Sequence, residues 1–259
     1  MEKNPLENII RDGGYTAIFR TLGVIGDSLA SGEHEGFDGE KPSYNDYYEY
    51  SWGQFIARKC GMHVQNISVG GITAKEMEYY AGYMQCFTPE RMCQGYVIAL
   101  GRNDINHWHE YENGFGSMQD IDWEDRTKNK DSFVGHYVKI IQRIRQCQPK
   151  ARIFVMTMPD SESDSSQIKE KCDMHAEFIR SLPNYFEFLY VIDLRKYSPV
   201  HDKEFVETYY CGGHLNAMGY LYLADQISTY IDFIIRNNPK DFTQVAFIGK
   251  KVYNINEKW

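Results

Sequence analysis

Four short segments combine residue types that can act together on a carbonyl group. Gly23-Val24-Ile25-Gly26-Asp27-Ser28-Leu29 is an apolar run that ends in Gly-Asp-Ser and turns. It presents the Ser28 hydroxyl at a strand's carboxyl end, where a serine is a nucleophile if a base lies near. No G-x-G-x-x-G or G-K-[ST] pattern is present there, and Asp27 would repel a phosphate, so a phosphate cradle is excluded. Asn66-Ile67-Ser68-Val69-Gly70-Gly71 closes a second strand, and its glycines let a backbone N–H approach a ligand with no Cβ in the way. Leu100-Gly101-Arg102-Asn103-Asp104 closes a third and brings a side-chain amide to the same edge. Cys211-Gly212-Gly213-His214-Leu215-Asn216 precedes the last helical stripe. Of the eight histidines, His214 is best placed to be a general base, because it lies in a glycine-rich turn and not on an apolar face. Read singly, each segment also fits an ordinary turn.

Positions 28, 71, 103 and 214 are far apart in sequence, so a regular scaffold must bring them together. Five apolar runs read as buried strands: residues 17–19 continuing through 22–25, then 63–69, 96–100, 153–156 and 188–192. Each is short, rich in β-branched or aromatic residues, and followed by Gly, Asp, Asn or Pro. Helices fit between them. Trp52 to Cys60 ends at Gly61, a good C-terminal stop. Asp131 can cap a helix with the face Val134, Tyr137, Ile141 and Ile144, stopped by Pro149. Met218, Leu221, Ala224, Ile227, Ile231 and Ile234 form another stripe at helical spacing. Strands alternating with helices imply right-handed crossovers and a sheet covered on both faces, hence one α/β domain over residues 1–259, a three-layer α/β/α sandwich. Segments 32–51 and 105–130 read as long loops at the carboxyl edge, where open α/β sheets bind ligands. Residues 240–259 form a C-terminal extension whose Val245-Ala246-Phe247-Ile248 suits an extra strand or a subunit contact.

Taken together, the type, order and spacing of the four segments resemble the SGNH/GDSL-type serine hydrolases. Gly26-Asp27-Ser28-Leu29 resembles that family's first block, Asn66 to Gly71 its glycine block, Gly101-x-Asn103-Asp104 its G-x-N-D block, and Gly213-His214-Leu215-Asn216 its histidine block. The resemblance implies a flavodoxin-like sandwich with a parallel five-stranded sheet, and ester hydrolysis with no cofactor. It implies Ser28 as nucleophile and His214 as base. The oxyanion hole would be the Ser28 N–H, the Gly71 N–H (Gly70 as fallback) and the Asn103 amide, with Asp27 and Asp104 in support. Each preorganised donor of this kind contributes on the order of 3–4 kcal/mol at the transition state.

At one position the chain departs from the family. The family's Asp three residues before the histidine is Cys211 here. A thiol is a poor partner for an imidazole N–H and is mostly protonated at neutral pH. Losing the third group of a triad can cost on the order of 10⁴ in rate. In order of preference, a backbone carbonyl near Cys211 holds the ring, or a carboxylate such as Asp202, Glu204 or Glu207 swings in, or the protein is a weak enzyme or a binding relic.

Composition narrows the partners. Lys plus Arg is 28 against 36 Asp plus Glu, a net charge of −8. That argues against nucleic acid or an anionic membrane as the main partner, since both need clustered positive charge. The start of the chain reads as no signal peptide, and the six cysteines, none in a C-x-x-C pair, read as reduced thiols of a cytoplasmic protein. His107-Trp108-His109 offers two imidazoles but no supporting ligand spacing, so no metal is expected. Segment 105–130 mixes Trp108, Tyr111, Phe115, Met118 and Trp123 with six acids. Aromatics among hydrogen-bonding groups suit a small polar ester such as an acylated sugar, while the acids interrupt the continuous apolar lining a long acyl chain prefers. Trp108 and His34 are candidate pocket residues, and Tyr44, Tyr47, Tyr48 and Tyr50 are either a ligand-facing surface or packing. The alternatives are a lysophospholipase or thioesterase for longer acyl chains, and a catalytically weak carbohydrate-binding protein.

Overall fold

The structure, a computed structural model, describes residues 3–10 and 12–250. In chain order, β1 (Thr21–Gly26) leads into the short α1 (Ser28–Ser31), and β2 (Glu33–Phe37) pairs with β3 (Pro42–Asp46). Then come α2 (Trp52–Cys60), β4 (His63–Ser68), α3 (Ala74–Tyr83), β5 (Gly95–Ala99), α4 (Arg102–His107), α5 (Phe133–Cys147) and β6 (Arg152–Met156). They are followed by α6 (Ser166–Ser181), β7 (Leu189–Ile192), α7 (Leu194–Tyr197), α8 (Lys203–Tyr209), β8 (Tyr210–Cys211), β9 (His214–Leu215) and α9 (Ala217–Asn237). The main sheet runs β4-β1-β5-β6-β7, every pair parallel. Counting only its own strands, that is the order 2-1-3-4-5 of a flavodoxin-like sheet, which reverses between β1 and β5 and opens a crevice at their carboxyl ends. Ser28 follows one of those strands and Asn103 the other.

Strand alternation splits the core into two layers. Ile25, Ile98 and Val155 pack with residues of α3, α5 and α6. Their neighbours Val24, Val97 and Phe154 face α2 and α9. Each such side chain removed from water stabilises the fold by about 1.5–3 kcal/mol. The sandwich expected from sequence is therefore present.

Several boundaries differ. Residues 14–18 form a 3₁₀ helix, because Gly13 and Gly14 turn the chain with φ of 80° and 48°, and the strand starts only at Thr21. Ser132, not Asp131, caps α5, its Oγ accepting from Gly135 N at 3.0 Å. Asp131 is drawn instead to Lys75 and His136, at 2.8 and 2.7 Å. Met218 and Leu221 are exposed, so the buried stripe of α9 begins at Tyr220. Val245–Phe247 is a 3₁₀ turn with Val245 and Ile248 buried in the α2/α9 layer, neither an added strand nor a free contact surface. Residues 251–259 of the C-terminal extension lie outside the described residues. Segment 32–51 is no loop: most of it is the β2–β3 hairpin. Among the described residues no helix is long and apolar enough to cross a membrane.

Candidate active site

The turn after β1 is built to present one hydroxyl. Gly26 lies so close to Ala30 that a Cβ would collide with its side chain and crowd the Ala99 carbonyl. Asp27 then caps α1, accepting from Leu29 N at 3.2 Å, and puts Ser28 first in the helix. Burial raises the Asp27 carboxyl to about 7, against the pull of the Leu29 N–H and with the charges of Asp104 and Glu33 adding to it. Gly32, at φ 83°, ends the helix and sends the chain back as β2.

His214 arrives from the other end of the sequence. β8 and β9 form a miniature hairpin in which Gly212 and Gly213 are the turn and Cys211 pairs across from His214. Asn216 caps α9 through Gly219 N at 3.0 Å and so fixes the turn to the longest helix. His214 Nε2 lies 3.1 Å from Ser28 Oγ. The sequence-derived nucleophile and base thus stand within hydrogen-bond reach, which is the arrangement that activates a serine.

Asn103 sits in the first turn of α4, behind Gly101. Gly101 has φ 138°, and a Cβ there would run into the buried His175 ring, whose Nε2 bonds the Leu100 carbonyl at 3.0 Å. Asn103 Nδ2 donates to Ile72 O at 3.0 Å, which uses one of its two amide hydrogens. Asp104 accepts from Ala74 N at 2.9 Å and from the Tyr111 hydroxyl, pinning the start of α3 and hence the loop carrying Gly71. Burial raises Asp104 to about 6, those two hydrogen bonds opposing it. Gly71 has φ 75° and open space where a Cβ would lie. Ser28, Asn103 and His214 line one cleft together with Arg102, Met158 and Asp164. Gly71 lines a neighbouring depression with Thr73 and Tyr111.

Besides Gly71, two candidates are set outside this cleft. His34 points to the far side of its strand, where its ring lies among Tyr47, Tyr50 and Tyr220 and its Nδ1 meets Gly32 O at 3.0 Å. Trp108 packs edge-on against Phe115 under Lys171. Two of the three carboxylates named near the histidine block are also occupied elsewhere. Asp202 caps α8 at Phe205 N, and Glu207 pairs with Lys203 at the surface.

The acids that do reach His214 come from β2. Glu33 Oε1 is 3.0 Å from Nε2 and Glu35 Oε2 is 3.7 Å from Nδ1. Burial pushes the Glu33 carboxyl above its ordinary range, Asp46 and Glu35 adding to the shift and His214 opposing it. Tyr44 from β3 stands edge-on to the His214 ring at 6.0 Å while remaining 58 % exposed. Sequence reading named Tyr44 but passed over Glu33 and Glu35 by treating 32–51 as a loop. The signal was present in Asp38-Gly39, a hairpin-turn dipeptide. His201 was also passed over: it lines the cleft, stacks on Phe205 at 4.1 Å and meets the Tyr210 hydroxyl at 2.9 Å.

Comparison with known proteins agrees with this architecture. A family two carbohydrate esterase from Clostridium thermocellum, solved with cellohexaose, is similar at TM-score 0.58 and 20 % identity over 86 % of this chain and 65 % of that one. A carbohydrate esterase family 2 enzyme with a carbohydrate-binding domain from Corynascus thermopiles (Myceliophthora fergusii) is similar at 0.58 and 16 %, over 84 % and 67 %. An acetyl xylan esterase from the rumen bacterium Butyrivibrio proteoclasticus is similar at 0.52 and 18 %, over 86 % and 64 %. At these identities the likeness is one of fold, and the chain spans about two thirds of those proteins' length. No curated protein matches the sequence. A family model described as GDSL-like lipase/acylhydrolase matches residues 24–221, from β1 through the histidine turn and into α9. The chain therefore belongs to the GDSL-like lipase/acylhydrolase family.

Proposed function

We propose that this protein is a serine esterase that removes a short acyl group from a carbohydrate or similar small polar ester through an acyl-enzyme. The observation that carries the reading is the 3.1 Å approach of Ser28 Oγ to His214 Nε2 in an open cleft. Ser28 Oγ attacks the ester carbonyl and passes its proton to Nε2, while the C=O π electrons move onto oxygen. That oxyanion is held by the Ser28 and Gly71 N–H groups and by Asn103 Nδ2. Collapse expels the alcohol, which takes the proton from His214, and water repeats the cycle on the acyl-serine. Exposed Tyr44 beside the base offers a flat face to a sugar leaving group, and the carbohydrate esterases of similar fold support that substrate class.

A second reading, hydrolysis of longer acyl esters, is favoured by one feature. An apolar cavity lined by Leu29, Trp52, Leu100, Met158, Phe205 and Leu215 meets the cleft at Leu29 and Met158. A p-nitrophenyl ester series from acetate to decanoate separates the two: the first reading expects kcat/KM to fall beyond about four carbons. Ser28→Ala should abolish turnover and phosphonate labelling with the fold intact. Turnover retained in that variant would remove the serine-esterase assignment altogether.

A further inference from the structure

A serine–histidine pair works as a base only if the imidazole proton sits on Nδ1, leaving the Nε2 lone pair for the serine. That proton needs an acceptor, and with Cys211 in the usual position the histidine block supplies none: Nδ1 is buried and has no hydrogen-bond partner. From the placement of β2 against this ring we infer that Glu35, carried by the hairpin that follows the nucleophile, is the positioning residue for His214 and replaces the missing acid. This inference rests on the esterase reading above.

Three observations support Glu35. First, its Oε2 is the acidic oxygen facing Nδ1, at 3.7 Å, just beyond hydrogen-bond range. Catalytic contacts that are long in a resting enzyme commonly tighten when substrate binds. Second, the carboxylate is seated rather than loose. Gly213 N–H donates to the same Oε2, and the Cys211 thiol lies 3.4 Å from the Glu35 backbone carbonyl. Third, the histidine turn is shaped around it. A Cβ on Gly212 would strike the Glu35 carboxylate, and Gly212 also has φ 67°. A turn of two glycines before the histidine leaves room for an acid arriving from a different strand.

Glu33, two residues earlier on the same face of β2, meets the other nitrogen. An ionised Glu33 favours the Nε2–H tautomer, which leaves nothing to take the Ser28 proton. A protonated Glu33 removes that preference, and burial together with Asp46 and Glu35 pushes it that way. The two acids therefore act on opposite nitrogens: Glu35 holds the working tautomer and Glu33 competes with it. During acylation the Ser28 proton moves to Nε2 as the Oγ–C bond forms. The Nδ1 proton stays on the ring, and the Glu35 charge stabilises the imidazolium.

The test compares Glu35→Gln, Glu33→Gln and Glu35→Gln/Cys211→Asp with the parent enzyme and Ser28→Ala on p-nitrophenyl acetate. Glu35→Gln keeps the shape and loses the charge, and should lower kcat by about 10²–10⁴ with KM within about threefold. Glu33→Gln removes the charge that competes for Nε2 and should raise kcat. Cys211 faces the same side as His214 across the β8–β9 pair, so an acid at 211 should restore at least tenfold of what Glu35→Gln loses. A merely structural role for Glu35 would not be repaired that way. Once the His214 ring carries a second proton in acid, the charged pair should close, and the Nδ1 proton should then give a downfield resonance that Glu35→Gln removes, a readout independent of turnover. Full kcat in Glu35→Gln, or a collapse confined to Glu33→Gln, would overturn the assignment. An inactive parent enzyme would instead count against the esterase reading, and the proton resonance would then decide the role of Glu35.

Discussion

Asn103 shows how one side chain is divided between architecture and chemistry. Its amide bonds the Ile72 carbonyl and so ties the loop after β4 to the first turn of α4. The second amide hydrogen is the one proposed for the oxyanion. A donor that matters only once the carbonyl oxygen carries charge acts on kcat. Asn103→Ala should therefore lower kcat by roughly 10²–10³ while KM changes little. Loss of the Ile72 bond should cost only about 1 kcal/mol of stability. A raised KM at unchanged kcat would make Asn103 a substrate-binding residue.

At the scale of elements, the β2–β3 hairpin decides how the site is finished, and it stands apart from the main sheet. Its turn depends on Asp38, whose Oδ1 accepts from the Glu40 and Lys41 N–H groups, both at 2.9 Å, and on Gly39 at φ 102°. Nothing lies within 4 Å of a Cβ built there, so Gly39→Ala tests backbone strain alone. The expected cost is about 1–2 kcal/mol, borne by the hairpin. Amide exchange of β2 and β3 should quicken and kcat should fall several-fold, with the melting of the sandwich nearly unchanged. A loss of global stability with hairpin exchange unaltered would contradict this. The same hairpin marks where the sequence stopped being readable. Buried strands such as Ile153 to Met156 announce themselves by composition, and the capping of α2 by Ser51 and Gly61 is local chemistry. Ser28, Asn103 and His214 lie at the ends of such elements, so their neighbourhood followed from the topology. Glu33 and Glu35 lie on an exposed two-stranded ribbon with little hydrophobic alternation to reveal it. Their approach to His214 is a contact across some 180 residues that no local pattern encodes.

Across the whole molecule, buried titratable groups pull stability in opposite directions as pH changes. Burial lowers His175 and His201 from 6.5 to about 4, so the fold binds fewer protons than the unfolded chain between those values. Their contribution is complete above about pH 6.5 and is lost as pH falls toward 4. Asp27 and Asp104 behave inversely. Raised from 3.8 to about 7 and about 6, they are held neutral by the fold. Their contribution is complete below the unfolded value and is lost as pH rises through 6 and 7. Between about pH 4 and 6 the two pairs oppose each other, and wild-type stability should change little. Asp27→Asn removes one half of that balance and keeps an oxygen for the Leu29 N–H. Its melting temperature should match wild type near pH 4 and exceed it increasingly through pH 7, by several degrees at pH 8. Each kcal/mol is worth about 2–4 °C in a chain of this size. The check is a set of paired thermal melts at pH 4.5, 6 and 8. A difference that stays constant with pH would mean that Asp27 is already ionised in the fold at pH 4.5. The buried carboxyl beside Ser28 would then have to be treated as a fixed negative charge.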